Sequence, residues 1–163
     1  MWENFLRKFF HILRGGNNLI PLHNYEFLEH TADLKIRVTS VGLKELFIDS
    51  AVAIFDIIAE RKDIKPARKI KIPIQVPLIE GADRTEDLFA DWLNEVISLS
   101  AAREMVLSDF KIIKLDEKGL QAEAMGEDMN NFVIKTEIKA ATRHELKLTK
   151  TETGWQAEVI FDV

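Results

Sequence analysis

The chain has 163 residues, 47% hydrophobic and 30% charged with both signs interspersed, which suits one folded globular domain and excludes a disordered or fibrous chain. With no cysteine, disulfides, thiolate zinc sites and a cysteine nucleophile are excluded, in keeping with a cytoplasmic protein. The net charge of -5 divides into +2 on residues 1–24 and -7 on the rest; an acidic body repels phosphate, so any nucleic-acid role is expected to run through a partner.

The spacing of Trp2, Phe5, Leu6, Phe9, Ile12 and Leu13 predicts an amphipathic helix over 2–14, ended by Gly15-Gly16-Asn17-Asn18. It reads as an appendage packed on the domain or a partner, as a membrane-surface anchor, or as sequence upstream of the true start. No run approaches the ~20 apolar residues that span a bilayer, and residues 1–24 lack the ordered regions of a signal peptide.

The domain proper is expected from Tyr25 to Val163. Leu34, Ile36 and Val38 alternate with Lys35, Arg37 and Thr39, a strand with one buried face. Leu43, Leu46, Phe47, Ser50, Ala51, Ile54 and Ile58 then recur at helical spacing, predicting a helix entered near residues 40–42. After a polar link at 61–68, Ile70, Ile72, Ile74 and Val76 predict a second strand. Glu80-Gly81-Ala82 predicts a turn, and Asp83 with Glu86 resembles a capping box. The helix it would open carries Leu88, Trp92, Val96 and Leu99 on one stripe and runs to about Arg103. The last third reads as strands over 110–115, 120–125, 133–139, 145–149 and 155–161. The expected fold class is α+β, two helices packed on a mostly antiparallel sheet.

Two acids stand out, Asp33 in His30-Thr31-Ala32-Asp33 and Asp162 in Phe161-Asp162-Val163. Each lies in or beside an apolar strand, where a lone carboxylate is costly unless a partner or metal satisfies it. Two Asp side chains with the carboxylate of Val163 would suit a hard divalent ion, Ca²⁺, Mg²⁺ or Mn²⁺; the competing assignment for either Asp is a turn or cap residue. His30 reads as a nitrogen ligand, an acid or base, or a structural residue. Lys139, in Lys139-Ala140-Ala141-Thr142, reads as a cation near the acids or an exposed strand end. Glu127 reads as part of an acidic loop. Phosphate-binding glycine loops, a nucleophile elbow and a zinc-binding HExxH are absent, which argues against an independent enzyme.

These pieces together resemble the archease family. The resemblance lies in the segment from Tyr25 to Asp33, in Glu45-Leu46-Phe47 with residues 51–55, in Glu86-Asp87-Leu88 with Trp92-Leu93-Asn94-Glu95, in residues 138–142, and in residues 159–163. It implies a small, non-catalytic, metal-binding accessory protein that activates an RtcB-type RNA ligase, promoting ligase guanylylation and multiple turnover in tRNA splicing or RNA repair. It also implies that Asp33 and Asp162 are metal-binding acids and that Lys139 belongs to the family's KAxT motif. Arg143 stands where members commonly carry Tyr, Phe132 where some carry His, and residues 1–24 extend beyond the family core. The other readings are a general chaperone or binding module, and a small metal-dependent hydrolase using Asp33, His30 and Asp162.

Overall fold

A computed structural model describes residues 25–31, 33–60, 67–75 and 83–163. The helix expected over 2–14, most of the polar link and the turn at 80–82 lie outside the described residues. Among the described residues, two antiparallel sheets pack against two helices. The first sheet contains β1 (Tyr25–Leu28), β2 (Leu34–Ser40), β6 (Ala140–Thr151) and β7 (Gly154–Asp162) in the order β1-β2-β7-β6. The second contains β3 (Arg68–Gln75), β4 (Met105–Asp116) and β5 (Gly119–Asp128) in the order β3-β5-β4. Helix α1 (Leu43–Ile58) packs on β2 and β7 on one side and β4 on the other, and α2 (Thr85–Arg103) bridges β6 to β3, β4 and β5.

The alternation in β2 does what its pattern demands. Leu34, Ile36 and Val38 are buried and stand opposite Phe161, Val159 and Ala157, all buried, so the inner faces of β2 and β7 join the core under α1. Helix α1 is amphipathic, begins after extended Gly42 and ends at extended Ala59, whose amide still reaches the carbonyl of Phe55. In α2, Leu88, Trp92 and Val96 are buried and Leu99 is partly buried.

Four expectations are corrected. The segment 133–139 is no strand: Ile134 makes one isolated bridge to Ala59, while the amide of Lys135 donates to the carbonyl of Ile58 at 2.7 Å and that of Glu60 to the carbonyl of Val133 at 3.0 Å. Its hydrogen-bonding groups serve the C-terminal end of α1, where helix carbonyls need donors. Strand β4 starts at Met105, five residues before the expected start, because Glu104 turns the chain in a left-handed conformation (φ 51°) directly from helix to strand. Asp83 and Glu86 form no capping box. Asp83 accepts from the amide and hydroxyl of Thr85, whose hydroxyl is the main cause holding its carboxyl below the usual range, while Glu86 accepts from the amide of Leu148 on β6 at 3.0 Å. Glu127 belongs to β5 rather than a loop, and its carboxylate accepts from Asn131.

Candidate metal and partner site

The register of the first sheet decides what meets at its end. Strand β2 pairs with β7 down to Leu34 opposite Phe161, and one step further along the two strands stand Asp33 and Asp162. On the other side of β7, Ala140 pairs with Asp162, and the amide of Lys139 donates to the carbonyl of Asp162 at 2.8 Å. The ammonium of Lys139 lies 3.3 Å from the main-chain oxygen of Val163. Three strands thus bring Asp33, Lys139, Asp162 and Val163 to one corner, although the first and last of them are separated by nearly the whole domain. The premise that these acids are buried is corrected: Asp33, Asp162 and Lys139 are all exposed. No desolvation cost compels the acids to find a partner. Among the described residues no group of three or more His, Asp or Glu side chains is gathered as a ligand set. The register places the two acids one step beyond the last β2–β7 pair, with Val163 next to Asp162 in the chain.

His30 is half-buried, and its Nδ1 is buried with no hydrogen-bond partner among the described residues. The same holds for Oγ1 of Thr142, two residues beyond the partner of Asp162 on β6. Buried polar atoms without partners are uncommon in native structures and call for an explanation.

Beside this corner, β6 makes a wide bulge. Thr142 pairs with Ile160 and Lys147 with Glu158, so residues 143–146 face a single residue of β7. Glu145 takes a left-handed conformation (φ 55°) there and reaches across β7 to Lys35 on β2, with 3.0 Å between Nζ and Oε2. The Lys35 ammonium is the main cause holding the Glu145 carboxyl below its ordinary range, and His30 adds a smaller effect in the same direction. Arg143 turns the other way, to Asp91 at 2.7 Å and Asp87 at 3.5 Å on α2. It is therefore an anchor between β6 and α2, a role that an aromatic residue could not fill by ion pairing. Sequence reasoning gave no role to Glu145 or Asn94; Asn94 lies in the Trp92-Leu93-Asn94-Glu95 motif of the resemblance, but what each residue does depends on a strand distant in sequence.

Fold and site together define a small α+β protein with two exposed acids and a lysine at a three-strand corner. A model of the Archease protein family (MTH1598/TM1083) matches residues 25–163. The chain is 34% identical over 145 residues to the protein archease of Methanosarcina barkeri, covering 85% of this chain and 95% of that one. It is also 34% identical over 149 residues to that of Pyrococcus furiosus, covering 87% and 100%. A solution structure of Methanobacterium thermoautotrophicum protein 1598 superposes with a TM-score of 0.71 at 26% identity, covering 86% of this chain and 99% of that one. The crystal structure of a Thermotoga maritima archease, described as a possible chaperone, has a TM-score of 0.53 at 23% identity over 91% of this chain and 100% of that one, and shares the fold. The chain belongs to the archease family.

Proposed function

We propose that this archease is a non-catalytic, metal-binding activator of an RtcB-type RNA ligase, acting in the joining of tRNA halves or in RNA repair. The observation that carries the reading is the meeting of Asp33, Asp162, Lys139 and Val163 at the end of the first sheet. The donor set fits an oxygen-preferring divalent ion, because two carboxylates and a main-chain oxygen are hard ligands and their exposure leaves room for water or a partner's oxygen. The orphaned Oγ1 of Thr142 and Nδ1 of His30 supply further polar atoms that an incoming group would satisfy. Asp33, Asp162 and Val163 would hold the ion, which when bound supplies a Lewis-acid centre that orients phosphate or carboxylate oxygen.

The chain's own residues act by placement. Asp33 and Asp162 present negative charge at an exposed corner, where a basic, RNA-binding partner would be attracted. Lys139 opposes them with a positive charge tethered to Val163, so the corner presents both signs within one residue step. An activator of this kind works by binding one ligase conformation better than another, and its effect is bounded by that difference in affinity.

The test is a multiple-turnover RNA-joining assay with a cognate RtcB-type ligase, GTP and divalent metal. Wild type is expected to raise turnover, and Asp33→Ala or Asp162→Ala to lower that stimulation at least tenfold. Equal stimulation by the variants would sink the role of the acids; no stimulation by any form would leave the archease fold without this activity and move a chaperone function to the front.

A further inference from the structure

Lys139 immediately precedes β6, and among the described residues β6 is the last strand of its sheet, so the main-chain groups of Ala141 directed away from β7 have no described strand to receive them. They are received instead by one side chain. The amide of Ala141 donates to Oδ1 of Asn94 at 2.9 Å, and Nδ2 of Asn94 donates to the carbonyl of Ala141 at 2.9 Å. The other proton of Nδ2 goes to the carbonyl of Ala90, one turn back along α2, at 3.0 Å. Every donor of the carboxamide is used, and only one orientation satisfies all three bonds. The reversed amide would set oxygen against two carbonyls. Asn94 thus completes the sheet as a one-residue surrogate strand, orienting its own plane through Ala90. Neighbouring contacts extend the clamp along β6, with Arg143 on Asp91 and Glu86 on the amide of Leu148.

We infer that Asn94 is the positioning residue of the corner, a carboxamide on α2 that fixes the backbone of Ala141 and so sets Lys139 and Asp162 in register with Asp33. The chain of placement is short. Ala141 pairs with Phe161, Ala140 with Asp162, and the amide of Lys139 bonds the carbonyl of Asp162; a shift of Ala141 moves both charged residues together. What the corner does for a partner rests on the activator reading above, whereas the placement itself does not. A consequence is that α2 holds β6 nearest the corner through Asn94, with Arg143 and Glu86 holding it farther along the strand.

The experiment compares wild type, Asn94→Ala, the near-isosteric Asn94→Asp, and Leu99→Ala as a destabilised control on the same helix. Two quantities are read: NMR exchange of the Lys139 amide, which bonds Asp162 and not Asn94, and Mn²⁺ affinity by titration calorimetry. Both Asn94 variants are expected to exchange Lys139 at least tenfold faster and to bind Mn²⁺ at least tenfold more weakly, with Leu99→Ala within twofold of wild type on both. Lys139 exchange in the Asn94 variants no faster than in the control overturns the inference. If wild type binds no Mn²⁺, the metal part of the activator reading fails, and Lys139 exchange alone decides the role of Asn94. If Asn94→Ala does not fold, Asn94→Asp carries the comparison.

Discussion

The outer face of the first sheet is organised by single charges. Arg37 on β2 donates to Glu158 on β7 at 2.7 and 3.1 Å and to Glu26 on β1 at 2.9 Å, and Lys35 lies between Glu145 and Glu158. Isolated surface pairs contribute little, but a network shared by four strands constrains their register. The guanidinium of Arg37 is the main cause holding the Glu158 carboxyl below its ordinary range. The sign follows: a depressed carboxylate stabilises the fold above its unfolded value of about 4.3, and the contribution is lost as pH falls through the lower folded value. Glu158→Gln is therefore expected to lower the urea midpoint near neutral pH, with the gap to wild type closing below about pH 4; a gap that persists in acid would show that packing, not charge, sets it. The alternation of Lys35 and Arg37 with apolar residues was legible as a strand with one buried face, the two cations on the other. Their partners were not, because Glu145 and Glu158 lie more than a hundred residues away.

At the scale of elements, α1 and α2 are joined by Trp92, which is fully buried and donates from Nε1 to the carbonyl of Phe47 at 2.8 Å. Around it, Phe110 meets the Trp92 ring edge-on at 5.9 Å, and Phe47 meets Phe89 edge-on at 5.0 Å. Trp92→Phe removes the hydrogen bond and part of the ring volume, and is expected to cost about 2–3 kcal/mol in chemical denaturation. A loss below about 0.5 kcal/mol would mean that the site collapses around the smaller ring. Both helices were legible because 3.6-residue periodicity is local. The strand expected over 133–139 was not realised for a non-local reason: its donors are taken by the end of α1. An alternating apolar run specifies extended backbone but not the element that accepts its hydrogen bonds.

At the scale of the molecule, the candidate site draws on β2, β6 and β7, the strands that bring the two ends of the domain together. An ion held there, as the proposed function requires, would link them only in the folded state and by mass action would stabilise the fold by about 2.7 kcal/mol at a hundred times its dissociation constant. Mn²⁺ or Ca²⁺ is accordingly expected to raise the melting temperature of wild type by several degrees and that of Asp33→Ala by much less. An equal rise in both proteins would assign the ion to other acids of this chain of net charge -5. Among the described residues no helix is long and apolar enough to cross a membrane.

Periodicity and chain order determined the α+β class, both described helices and the buried face of β2, while the sequence motifs carried the family resemblance. These are properties of spacing and residue type, and they survive without knowledge of what lies across the fold. Only the tertiary structure decided that the strands divide into two sheets, that the corner acids are exposed, that Arg143 anchors β6 to α2, and that Asn94 holds Ala141. Each of those depends on which distant backbone or side chain completes a hydrogen bond or an ion pair. Such pairing is set by register and packing, and no local pattern in the sequence encodes it.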